Sequence, residues 1–181
     1  MSVLEVPKWL KIQLWVETRS HRAISNLLTL VKDADSFVRR MAAAALGEIG
    51  AVEAIPVLLT LVADTNSFVR ESTVEALGKI GSVEAIPALL RLVQDSNFGV
   101  RESAVKALGE TGSVEAIPAL LTLVKHSDFG VCMRAVEALG KIGAVEAISA
   151  LLTLMADADS HGRWRVVEAL GEIGSVEMIP L

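Results

Sequence analysis

The phrase Ala-Leu-Gly-x-Ile-Gly closes at Gly50 and returns at Gly81, Gly112, Gly143 and Gly174, each 31 residues after the last, with Thr111 replacing the isoleucine once. A fixed period without insertion or deletion constrains the fold more than any other feature. Each copy must be one supersecondary unit that buries its apolar face only by stacking on its neighbours. The copies run Ser20–Gly50, Ala51–Gly81, Ser82–Gly112, Ser113–Gly143 and Ala144–Gly174, and a partial sixth opens at Ser175 as SVEMIPL. Residues 1–19 stand outside the repeat.

Within Ala51–Gly81, Ile55, Leu58, Leu59 and Val62 fall on one stripe of a helix, with Pro56 near its start, where a missing N–H does least harm. Asp64, Thr65, Asn66 and Ser67 make a polar turn, in which Asn66 or Ser67 can cap a second helix. Val69, Thr73, Ala76, Leu77 and Ile80 form that helix's apolar stripe, and Gly81 suits a left-handed C-terminal cap. Each copy therefore reads as a helical hairpin. Gly47, Gly78, Gly109, Gly140 and Gly171 lie inside the second helices, where glycine costs about 1 kcal/mol against alanine. Such a cost, repeated in every copy, predicts close helix approach. No GxxxxGK[ST] phosphate loop is present.

Hydrophobic residues make up 52% of the 181, yet charges interrupt every stretch before it reaches the ~20 apolar residues of a membrane span. The N-terminus lacks the pattern of a signal peptide, and a single cysteine cannot form an internal disulfide. The expectation is a cytoplasmic chain without membrane partners. A net charge of -5 disfavours nucleic acid as a partner.

The phrases AIPALLTLV, FVRR, VEALGKIG and SVEAIP resemble HEAT repeats of the short kind, the phycobilisome-lyase type, over residues 20–181. Tetratricopeptide and ankyrin arrays have periods of about 34 and 33 and signatures absent here. The expected fold is all-α: a right-handed α-solenoid, or superhelix, of five helical hairpins plus a divergent N-terminal helix. The resemblance implies that the second helices line a concave surface. It also implies, through the family name alone, an alternative role as a bilin lyase or chromophore-handling subunit.

Each turn between helices opens on an acid, Asp33, Asp64, Asp95 and Asp157, except at His126. Six residues on lies a base, Arg39, Arg70, Arg101 and Arg163, except at Cys132. This predicts a ladder of acid–arginine pairs within a copy or between neighbours. The joint loss of His126's acid and Cys132's base then reads as the loss of two coupled partners. The sharper alternative is a metal-binding or nucleophilic spot at His126 and Cys132, with Asp128 and His161 nearby. Zinc usually needs three or four ligands, and no metal spacing links His21, His126 and His161. No metal, cofactor or catalytic set is expected.

The face of each second helix opposite its core stripe carries a row of outward residues. Copies two and three present Glu71, Ser72, Glu75 and Lys79, then Glu102, Ser103, Lys106 and Glu110, a plain solvated face. Copies four and five present Met133 and Arg134, then Trp164 and Arg165, residue types enriched at interface hot spots, with His161 beside them. Arg40 and Met41, next to Phe37, form a smaller patch in copy one. These seven residues, Arg40, Met41, Met133, Arg134, His161, Trp164 and Arg165, are the candidate partner-binding set for another protein. The alternative for Trp164 is local packing, folded down over Gly162, which stands where the other copies have a core valine. Phe37, Phe68, Phe98 and Phe129 read as lids over the hairpin turns. Pro7 to about Thr18 reads as a capping helix on copy one, and the uncovered apolar flank of copy five points to end-to-end self-association. The expected function is a non-enzymatic protein–protein interaction scaffold.

Overall fold

The computed structural model describes residues 6–157 and 160–177, except for the side chains at 157, 160, 161 and 175–177. Those residues are helical outside their turns, with no strand among them, in eleven α-helices: α1 (Lys8–Thr18), α2 (His21–Leu30), α3 (Ser36–Ile49), α4 (Ile55–Leu61), α5 (Ser67–Ile80), α6 (Ile86–Leu92), α7 (Phe98–Glu110), α8 (Ile117–Leu123), α9 (Phe129–Ile142), α10 (Ile148–Asp157) and α11 (Ser160–Glu177). The fold is an α-solenoid of helical hairpins. The chain divides between Ala85 and Ile86 into two compact units, the first holding α1–α5 and the second α6–α11.

Local chemistry sets the ends of the second helices. Asp35, Asn66, Asn97 and Asp128 are their N-caps, each side chain accepting a backbone N–H of the first turn. At the far end Gly50 takes φ 73°, and the N–H of Ala51 reaches back to the Leu46 carbonyl at 3.0 Å. That is a Schellman closure, which favours glycine because the left-handed backbone crowds a Cβ. A short 3-10 turn follows, Val52–Ala54 and its counterparts Val83–Ala85, Val114–Ala116 and Val145–Ala147. Its alanine is fully buried in all four.

The last copy departs from the expected pattern. Instead of stopping at Gly174, α11 runs through it to Glu177. Glycine permits the left-handed turn but does not compel it. The partial sixth copy from residue 178 onward lies outside the described residues, as does the side chain of Asp157 in the acid series.

Inside each unit the second helices pack on one another: α3 on α5 in the first, α7 on α9 and α9 on α11 in the second. The predicted close approach is present. A Cβ on Gly47 would lie 2.5 Å from the Ala76 Cα, one on Gly109 2.7 Å from the Ala138 Cβ, and one on Gly140 2.9 Å from the Ala169 Cα. A Cβ on Gly171 would meet nothing within 4 Å. Leu46, Leu58 and Leu77 are fully buried in the first unit, and Leu89, Leu108, Leu120, Leu139 and Leu151 in the second. Helix α1 packs on α2 and α3. Only its Ile12 is buried, while Trp9, Leu10 and Leu14 stand exposed. Arg19 ends it in a left-handed conformation, φ 45°.

Candidate functional site

The acid–arginine ladder joins neighbouring copies. Arg39 on α3 meets Asp64 of the next copy through Nε and Nη2, at 2.8 and 2.9 Å. Its Nη1 donates to the Asp33 and Ala34 carbonyls of its own turn. Arg70 repeats that bond on the Asp64 carbonyl and Arg101 on the Asp95 carbonyl, at 2.9 and 3.0 Å. The guanidinium thus clamps its own turn and ties it to the next copy, and Arg39 holds the Asp64 carboxyl below its ordinary pKa.

This arrangement corrects the coupled-loss reading of His126 and Cys132. An arginine pairs with the acid of the following copy, so these two residues stand in for members of two different pairs. Arg101 reaches Asp128 instead, with Nη2 at 2.8 Å from its carboxylate, and this lowers the Asp128 pKa. Asp128 both caps α9 and receives the arginine. His126 keeps the other task of the lost acid: its Nδ1 accepts the N–H of Asp128 at 3.0 Å, as Asp64 accepts that of Asn66 and Asp95 that of Asn97. Cys132 is buried, donates to the Val124 carbonyl at 3.0 Å, and has its thiol pKa pushed up by burial. Local hydrogen bonds occupy both side chains, and a buried, protonated thiol is a poor nucleophile. Among the described residues no three metal-ligating side chains converge.

The candidate binding residues do not gather in one place. Met133, Arg134 and Arg165 line one depression of about 190 Å³, together with Phe129, Gly130, Glu102 and Glu137. Arg134 is held there between carboxylates, 2.9 Å from Glu137 and 3.6 Å from Glu102. Burial pushes the Glu137 carboxyl up, but hydrogen bonds from Lys141 and Arg134 outweigh it and leave the pKa below its ordinary value. Arg165 pairs with Glu168 at 3.3 Å. Trp164 does not line this depression. It stands 62% exposed on α11, while Gly162 is buried. The side chain of His161 lies outside the described residues.

Arg40 and Met41 part company, since consecutive helix residues point about 100° apart. Arg40 lies over the Phe37 ring, 5.2 Å from its centroid, and beside Phe68. Met41 turns the other way, into a groove between α1 and α3. Nor are the phenylalanines lids. Phe37, Phe68, Phe98 and Phe129 are 47–60% exposed on the first turns of their helices. Phe98 lies under the Arg101 guanidinium, 5.7 Å away. Phe129 belongs to the depression, and the sequence reading missed it. The available signal was Gly130, where a Cβ would collide with Glu102 and touch the Phe98 ring at 3.2 Å.

The profile of HEAT repeats matches residues 9–78, 61–133 and 117–181. No curated protein matches the chain. Among solved structures it is similar to the complex of CpcE and CpcF of phycocyanin lyase from Nostoc sp. PCC7120, at 25% identity over 96% of this chain and 73% of that one, with a TM-score of 0.69. An engineered protein is also 25% identical, over 95% and 93% of the two chains, with a TM-score of 0.62. Computationally designed armadillo repeat proteins for modular peptide recognition share the fold at 24% identity over 89% and 85%, with a TM-score of 0.63. Matches to the HEAT-repeat profile from residue 9 to residue 181, over a solenoid of stacked helical hairpins, place the chain in the HEAT-repeat family.

Proposed function

We propose that the chain is a non-enzymatic scaffold that grips a partner protein through the outward row of its second helices, anchored by Met133, Arg134, Trp164 and Arg165. The exposure of Trp164 carries this reading. A tryptophan buries roughly 150–250 Å² in an interface, and here most of that surface faces solvent. The salt bridges that hold Arg134 and Arg165 limit the ordering cost of docking. The test is affinity capture from a source lysate with the native chain beside an Arg134→Ala, Trp164→Ala variant of equal helicity. A protein retained by the first and released by the second supports the reading. Equal retention removes the anchor from this face.

The similarity to a phycocyanin lyase complex favours one second reading, a chromophore-handling subunit. Mixing with phycocyanobilin should then shift the pigment's absorption band, and an unchanged spectrum rejects it. The chain has no tyrosine to stack on a tetrapyrrole.

A further inference from the structure

The groove between α1 and α3, about 380 Å³, has a structural origin. It is lined by Ile12, Gln13, Val16 and Glu17 from one helix and Met41, Ala44, Ala45 and Glu48 from the other. Helix α1 keeps the 31-residue register of a second helix: Lys8 falls where Arg39 does, and Val16 where Gly47 does. Gly47 lets α3 and α5 touch at Ala76. Val16 and the matching alanine, Ala45, both line the groove, and a branched side chain at this register does not permit the approach that Gly47 makes. The two helices pack less closely than α3 and α5 do, and the gap left between them is floored by apolar side chains.

Its charge is unbalanced too. Along the copies the rim residue alternates in sign as Glu48, Lys79, Glu110, Lys141 and Glu172. The register puts Glu17 next in line, so α1 and α3 bring two carboxylates to one groove. Both are exposed, and among the described residues neither forms an ion pair. An apolar floor under an anionic rim suits a side chain with an aliphatic stem and a cationic head.

We propose that the α1–α3 groove receives a lysine or arginine side chain of a partner peptide, with its stem on Val16, Met41 and Ala45 and its charge between Glu17 and Glu48. This deepens the scaffold reading, on which it rests, by naming the chemistry of the partner at the other end of the chain from Trp164.

The probes are three acetylated, amidated eight-residue peptides, identical except for lysine, norleucine or glutamate at one central position. The readout is amide shifts of the full chain in titrations by nuclear magnetic resonance. The lysine peptide should move Gln13, Glu17, Ala44 and Glu48 saturably, more tightly than the other two, and weaken as salt rises. A Glu17→Gln, Glu48→Gln variant should lose affinity on the order of fivefold, as two exposed ion pairs imply. A Glu115→Gln, Glu146→Gln variant, at two exposed carboxylates outside both sites, carries the same change in net charge and should lose less than twofold. Equal loss in both variants would mean attraction to an acidic protein at large and would overturn the proposal. Equal binding of the norleucine peptide would assign the groove to an apolar partner, and no saturable shift would leave it empty. Either result overturns the proposal but leaves the Trp164 capture test untouched, so the two failures are distinguishable.

Discussion

Lys8 donates to the carboxylate of Asp33, 25 residues on, the same separation at which Arg39 reaches Asp64. For Asp33 the partner is a lysine of α1 rather than an arginine of a second helix. Helix α1 is therefore built like a reduced second helix: it keeps the ladder's ion pair, but carries valine at the glycine register and packs less closely on α3.

The two ion pairs should differ in strength. Lys8 is 55% exposed, so its pair is largely screened, whereas Arg39 and Asp64 are 16% and 8% exposed and share a forked pair. Lys8→Ala should leave global stability almost unchanged, while hydrogen exchange speeds up in α1 alone. Arg39→Ala should cost about 2–3 kcal/mol, because it strands a half-buried carboxylate and releases two turn carbonyls. Urea unfolding of the two variants decides the order.

The interior glycines allow a paired test. Gly109→Ala places a methyl 2.7 Å from the Ala138 Cβ and should destabilise by about 1–3 kcal/mol through overpacking. Gly171→Ala meets nothing within 4 Å and should gain up to about 1 kcal/mol of helix propensity. The same substitution at equivalent positions thus changes sign, and thermal unfolding of each variant reads it directly.

The parts of this fold that repeat were legible, because repetition averages out the noise of a single copy. Gly81 as a left-handed cap, Asn66 as an N-cap and Gly47 as a point of close approach all follow from position in the period. The exceptions were not. Nothing in one copy tells whether Arg101 reaches its own turn, the next acid or the cap two residues on, since all lie within a guanidinium's length. Trp164 was undecided for a similar reason: whether a tryptophan fills the space over Gly162 or leaves it depends on the width of that space. Arg40 and Met41 read as one patch because adjacency in sequence hides their divergence around the helix.

The rerouted rung at Arg101 is open to rescue. Asp128→Asn keeps a good N-cap, since Asn66 and Asn97 fill that role, but removes the carboxylate from Arg101. It should cost about 1 kcal/mol. Adding His126→Asp rebuilds the aspartate–asparagine order of copies two and three, and should recover most of that loss. A double variant no more stable than Asp128→Asn would mean that position 126 has lost reach to Arg101. Chemical denaturation of the native chain and both variants measures the coupling.

The same carboxylates set the acid limb of stability. Arg39 holds Asp64, Arg101 holds Asp128 and Lys8 holds Asp33 below the ordinary carboxylate pKa. A depressed folded-state pKa means that the unfolded chain binds the proton first as pH falls. The stabilisation is therefore complete above the unfolded value, roughly 4, and drains away as pH drops through the lower folded values. Unfolding free energy should accordingly be flat from about pH 7 to 5 on account of these groups and fall steeply below about 4. Asp128→Asn removes one titrating group and should make that fall shallower, even though the variant starts less stable at neutral pH. If the native chain and the variant lose stability in parallel from about pH 5 to 2, Asp128 does not gain its charge from Arg101. Denaturant midpoints across that range separate the two outcomes.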